Sequence, residues 1–271
     1  MQPTPVLFDR PALMQRRARA VSDPAIWFLH DIAIAEVSER LKDVNRTFTK
    51  PVIVGWKAEY WAEKLNLDAR CIADTDVLDL PEGQADLVIH GLGLHWANDP
   101  VGQLIQMRRG LQPDGLMIAA LFAGETLTEL RAAFQDGEAV AEGGISPRTA
   151  PMGEIRALGG LLQRAGYGLP VADTLVCNTS YTTPLHLMRE LRAMGETNVL
   201  SQRRKQFLRC ATLRAVERSY QQNNTTDDGR IKATFELAFL TGWCPSETQQ
   251  KPLRPGSAEI SLAKVLGQGK S

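Results

Sequence analysis

The chain has 271 residues, with 31 Lys and Arg set against 31 Asp and Glu, so it carries no formal net charge. That balance excludes nucleic-acid binding driven by bulk phosphate neutralisation, although not a local basic patch. A hydrophobic share of 44% and a charged share of 23% belong to a globular chain long enough for one large core.

In chain order, residues 10–20 predict a basic helix. Asp23-Pro24 reads as an N-cap followed by proline at the first helical position. From Ile26 to Val44, Phe28, Leu29, Ile32, Ile34, Val37 and Leu41 recur at helical spacing. Pro51–Gly55 is a short apolar run suited to a buried parallel strand, and residues 56–66 are helical. Arg70–Ala73 and Ala85–Ile89 are further strand candidates. Residues 98–111 predict a helix, with Asn98-Asp99 as its cap. Gln112-Pro-Asp-Gly115 reads as a turn leading into a buried strand, Leu116–Phe122. Helices are expected over 125–141, 151–165 (Gly166 closing it), 183–194 and 204–221. Strands are expected over Val171–Tyr181 and Ile231–Trp243, and the chain from Ser246 reads as a polar tail.

Strand–helix alternation from Pro51 to Phe122 implies an α/β fold with a mostly parallel sheet covered on both faces. One antiparallel strand near the end is expected, with the N-terminal helices outside the sheet. The division expected is a helical extension over 1–45, the sheet domain over 46–245 and a tail over 246–271. No stretch reaches the ~20 apolar residues of a membrane helix, and the N-terminus lacks the apolar core of a secretory signal. Cys71, Cys177, Cys210 and Cys244 stand far apart without a CxxC pair, and no HxxxH or HExxH occurs. The expectation is reduced structural thiols, a cytoplasmic location and no metal site.

The run Ala85-Asp-Leu-Val-Ile-His-Gly-Leu-Gly-Leu-His-Trp-Ala-Asn-Asp99 resembles the fourth strand of class I S-adenosylmethionine-dependent methyltransferases and the turn after it. Its form is similar to a narrower group, holding the malonyl-carrier-protein methyltransferase of biotin synthesis and a methyltransferase-like assembly factor of respiratory complex I. The likeness continues through Leu111–Leu116, Gly124–Arg131, Gly144-Ile-Ser-Pro-Arg148, Leu158–Gly166, Met194-Gly195 and Gln250–Ala258. Phe8-Asp-Arg10 and Arg17-Ala-Arg-Ala20 resemble the group's N-terminal segment. The resemblance implies a doubly wound sheet with S-adenosylmethionine across the C-terminal strand ends, where open α/β sheets place ligands in general. It also implies a protein partner such as a respiratory-complex subunit, with methyl transfer or arginine hydroxylation as the chemistry. Gly55, Asp74 and His90 become the candidate cofactor contacts. His95 and Trp96 become the candidate substrate-positioning or catalytic pair.

Two departures bear on the cofactor. The family's glycine-rich loop, LDLGCGTGxxAxxL, reads here Val52-Ile-Val-Gly-Trp-Lys-Ala-Glu-Tyr-Trp-Ala-Glu-Lys-Leu65. Gly55 survives, Ile53 stands at the acidic position, and Lys57 and Glu59 replace glycines that let backbone approach a ligand. The interval Leu65–Asp86 is also short. Either Asp74 belongs to the adenine-contacting segment and the ribose strand is lost, or residues 70–74 are the ribose strand and the adenine segment is lost; spacing to Asp86 favours the first. Weak or absent S-adenosylmethionine binding follows as an expectation, and three readings stand: a partner-directed assembly factor, a small-molecule or carrier-protein O-methyltransferase, and a cofactor-free interaction protein. By default Arg16, Arg17 and Arg19 read as a solvated helix face, residues 203–205 as a solvated run, and Trp56, Tyr60 and Trp61 as packed aromatics.

Overall fold

A computed structural model of the protein describes residues 6–20, 26–247 and 249. The Asp23-Pro24 cap, most of the tail and the 250–258 motif lie outside the described residues. The helices are α1 (Arg10–Arg17), α2 (Phe28–Val44), α3 (Ala58–Leu65), α4 (Pro100–Gly110), α5 (Thr128–Glu142), α6 (Ile155–Ala165), α7 (Pro184–Ala193) and α8 (Cys210–Asn224). The strands are β1 (Pro51–Val54), β2 (Arg70–Ile72), β3 (Ala85–Gly91), β4 (Leu111–Phe122), β5 (Gly168–Tyr181) and β6 (Ile231–Trp243). They form one sheet in the order β2-β1-β3-β4-β6-β5. β2, β1, β3 and β4 run parallel, and β6 lies antiparallel between β4 and β5.

The continuous apolar strands serve two cores at once, because successive side chains point to opposite faces. Ile53, Leu87, Ile89, Leu116 and Ile118 enter one core with residues of α2, α3, α5, α7 and α8. Val52, Val54, Val88, Met117 and Ala119 enter the other with residues of α4 and α6. Between β1 and β3 the chain places a single three-residue strand, and after Ile72 no helix intervenes before Ala85. The short interval is thus spanned by β2 and a helix-free segment. Asp74 follows directly on a strand paired parallel with β1, which favours the second of the two placements, residues 70–74 as the strand, over the first.

Three expectations change. The turn at 112–115 is absorbed into β4, and the positive φ falls on Asp114 (62°) rather than on Gly115. The last long helix begins at Cys210 rather than at 204. Asp99 alone caps α4, accepting from Gly102 N at 2.8 Å. Asn98 instead pins the N-terminal segment, accepting from Phe8 N at 2.8 Å and donating to Phe8 O at 3.1 Å.

Buried Asp86 sets the start of β1. Its carboxylate accepts from Thr49 N at 2.6 Å, Thr49 Oγ1 at 3.0 Å and Lys50 N at 2.9 Å. Asp86→Ala leaves these donors without their acceptor, and a loss of about 2–4 kcal/mol is expected, read by urea denaturation. An unchanged midpoint would contradict this role.

Candidate functional site

The crevice over the C-terminal ends of β1 and β3 is built from close backbone approaches. A Cβ on Gly55 would stand 2.9 Å from the Gly91 carbonyl oxygen, and one on Gly91 would stand 2.7 Å from the Trp61 ring. Trp61 is fully buried there, and its indole N–H donates to His30 Nδ1 at 2.9 Å. Lys57 does not point into an open cleft. Its ammonium lies 3.7 Å from the Trp27 ring centre and 4.2 Å from that of Trp56, a cation–π arrangement.

Asp74 follows β2 and is buried. Arg17 Nη1 donates to both of its carboxylate oxygens, at 3.0 and 2.9 Å, and the Arg10 guanidinium donates to its carbonyl oxygen. Burial works to raise the Asp74 carboxyl, but Arg17 foremost, with His90 and Arg10, holds it below its ordinary value. The solvated-face reading of Arg17 is therefore wrong: the residue is 3% exposed and its Nη1 is bonded to Asp74, while its buried Nε has no partner among the described residues. Arg203 and Arg204 also depart from a plain solvated run, for they pair with Asp9 and Glu142.

His90 lies inside β3 with no exposed surface, flanked by Asp74 and Gln103, whose side-chain amide donates to the Thr75 carbonyl. It faces the packed interior. His95 and Trp96 do come together, in a short 3₁₀ turn over Leu94–Trp96. Both converge on Glu196: His95 Nε2 lies 3.2 Å from Oε2, and Trp96 Nε1 donates to the same oxygen at 2.8 Å. Burial works against the Glu196 charge, yet His95, Arg17 and the Trp96 N–H hold its carboxyl below the ordinary value. Glu196 was not singled out from sequence; the signal available was Met194-Gly195 just before it. Gly195 has φ 81°, and a Cβ there would come within 3.0 Å of Trp56.

Beside this cluster lies a cavity of about 260 Å³. Trp96, Phe122, Leu130, Met188 and Phe235 line its apolar wall, Glu196 is the carboxylate among its lining residues, and Arg16, Arg148 and Arg192 stand among them as cations. The arrangement can bind an apolar group and orient it against Glu196. Among the described residues no cluster of His, Cys, Asp and Glu is suited to hold a metal, and no helix is long and apolar enough to cross a membrane.

A family model described as a methyltransferase domain matches residues 36–119. The chain is 33% identical over 294 residues to "Arginine-hydroxylase NDUFAF5, mitochondrial" of Danio rerio, covering 97% of this chain and 91% of that one. The human protein of the same name is 30% identical, covering 96% and 83%. The chain belongs to the S-adenosylmethionine-dependent methyltransferase family. A "Malonyl-[acyl-carrier protein] O-methyltransferase" of Halorhodospira halophila is 31% identical over 194 residues, 71% of this chain and 64% of that one. Membership of the family thus rests on likeness along nearly the whole chain, including the N-terminal segment that carries Arg17.

Burial pushes the imidazoles of His30 and His90 down to about 4. The unfolded chain therefore takes up protons from about pH 6.5 downward that the folded chain refuses until about pH 4. Stability is expected to fall by roughly 2–3 kcal/mol per histidine between pH 7 and pH 4.5, before Asp74 begins to titrate. Urea denaturation at the two pH values checks this; a flat profile would show that the imidazoles can charge in place.

Proposed function

We propose that this methyltransferase-family chain is an assembly factor for a respiratory enzyme of the complex I type, acting on or holding a protein subunit. The observation that carries the reading is that the crevice over β1 and β3 is occupied by the protein's own side chains. Trp61 fills the space beside Gly91, Lys57 is held by Trp27 and Trp56, and both Asp74 oxygens are committed to Arg17. These residues do not fit S-adenosylmethionine. Lys57, held by Trp27 and Trp56, stands where the family pattern has a glycine that admits the cofactor's methionine end, and the buried Asp74 carboxylate is turned to Arg17 rather than to an open ligand site. No reaction step is therefore derived through the cofactor.

Near full-length likeness to proteins named NDUFAF5 supports the partner-directed reading over the carrier-protein O-methyltransferase, whose relative matches over less of both chains. In this reading residues 1–45 close the body formed by 46–245, and His95, Trp96 and Glu196 form the wall against which the partner is held. Neither nucleic acid nor a transmembrane segment has a part in it. The four free thiols suit a reducing compartment, the cytoplasm in our reading.

Titration calorimetry at neutral pH is expected to give a dissociation constant for S-adenosylmethionine above roughly 1 mM, only about 4 kcal/mol of binding. A micromolar constant would mean a rebuilt pocket and put the active O-methyltransferase reading first. Deleting the gene in the source cell is expected to lower the amount of assembled complex I on native gels, restored by the wild-type chain. Unchanged complex I would reject the assembly role.

A further inference from the structure

The cavity beside Glu196 does not end at its mouth. Arg16, Arg148, Arg192 and Asn198 line both it and a basic groove of about 580 Å³, to which Arg203, Arg204 and Lys205 contribute. Phe134, Arg148, Thr149 and Ala150 in turn join it to a third hollow of about 770 Å³. The three form one surface. Large apolar side chains lie open along it: Phe207 is 100% exposed, Val6 66% and Ile145 64%.

Charge along this surface is unbalanced. Of the six cations lining the basic groove, three have their own carboxylates: Arg148 pairs with Glu138, Arg203 with Asp9 and Arg204 with Glu142. The side chains of Arg16, Arg192 and Lys205 form no hydrogen bond or salt bridge with a described residue, while the charge of Asp9, already paired with Arg203, acts on Arg16 and Lys205 from a distance. No acidic residue lines the groove. Burial, and then the like charges of Arg203 and Arg192, push the Arg16 guanidinium below its ordinary value. Such a set of cations is held together by the fold against its own repulsion and gains most from an anion placed between them.

Shape and lining together favour one ligand class. The apolar part, about 260 Å³, lies at the small end of the range for small-molecule sites and is of a size for one bulky apolar side chain. The open part is far longer than such an anchor and carries both charge and exposed apolar groups. A central apolar anchor in a pocket with a charged rim is the arrangement of a protein interface.

We infer that this face docks an acidic segment of a partner protein, one bulky apolar side chain seated in the cavity beside Trp96 and Glu196 and its carboxylates paired with Arg16, Arg192 and Lys205. The inference rests on the partner-directed reading and adds the chemistry of the partner. A random peptide library displayed on phage and selected against the full chain supplies the probe, and selected peptides are then measured by fluorescence anisotropy. Enrichment of Asp and Glu around a Leu, Phe or Trp is expected. Arg192→Glu combined with Lys205→Glu, both at exposed positions, is expected to weaken the selected peptide at least about tenfold with an unchanged thermal melt. Met188→Trp, which fills the cavity, is expected to weaken it similarly without altering its salt dependence. No enrichment, enrichment of neutral or basic peptides, or affinity indifferent to the charge reversal would overturn the proposal. Acidic peptides that bind here while complex I assembles normally without the chain would reject the assembly role and keep the docking face.

Discussion

The ion pair between Arg17 and Asp74 constrains most of what surrounds it. Both side chains are nearly excluded from water, so each charge is tolerable only while the other is in place. Asp74 is supplied by the turn after the edge strand β2, and Arg17 by the last residue of α1. The pair therefore requires the N-terminal helix to lie over the strand ends. Further contacts hold it there: Phe8 packs edge-on against Trp96 with ring centres 5.2 Å apart, and Asp9 N donates to the Val199 carbonyl at 2.8 Å. The same helix places Arg16, one residue earlier, among the residues lining the cavity beside Glu196. One element thus pairs with Asp74 at the strand ends and furnishes a cation to the neighbouring cavity.

Glycine has changed its use in this crevice. In the family pattern glycines keep the approach to β1 clear for a ligand. Here Gly91 keeps it clear for Trp61, whose ring lies where any Cβ on residue 91 would be. Trp61 cannot be exchanged lightly, because its N–H is the donor that satisfies His30 Nδ1, and an unpaired buried nitrogen is costly. The aromatics after β1 are therefore a linked set. Trp61 packs inward, Tyr60 stacks edge-on with Trp27 at 5.0 Å, and Trp27 with Trp56 flanks Lys57.

The sheet was legible because its signal is local. Apolar runs at Pro51–Val54, Ala85–Gly91 and Leu116–Phe122 are long enough and apolar enough to be buried on both faces, and the structure makes each a strand. Trp56, Tyr60 and Trp61 were legible as packed aromatics for the same reason. The site was less so. Arg17 sits in a run of three nearby arginines that composition marks as solvated, and only its long-range partner, 57 positions away, makes it a core residue. Glu196 draws its environment from His95 and Trp96, about a hundred positions earlier. The start of α8 failed differently. Residues 204–209 have helix-compatible composition, but Arg204 is drawn to Glu142 and Phe207 finds no packing partner on the body, so no helix forms before Cys210.

A net charge of zero hides an asymmetry that matters for association. Arg16, Arg192 and Lys205 line a groove that has no acidic residue among its lining, so the field there is locally positive. Such a field steers and orients an approaching anionic partner and raises the association rate. Steering of this kind fades over a screening length of roughly 8 Å at physiological ionic strength. Steering can therefore bring an acidic segment to the groove, where direct pairing with Arg16, Arg192 and Lys205 gives the salt-sensitive part of the hold. The apolar cavity, with its wall of Trp96, Phe122 and Phe235, gives the part that salt does not weaken. The two halves of the surface have separable physical roles, and the N-terminal segment that supplies Arg17 to Asp74 also supplies Arg16 to the lining that both halves share.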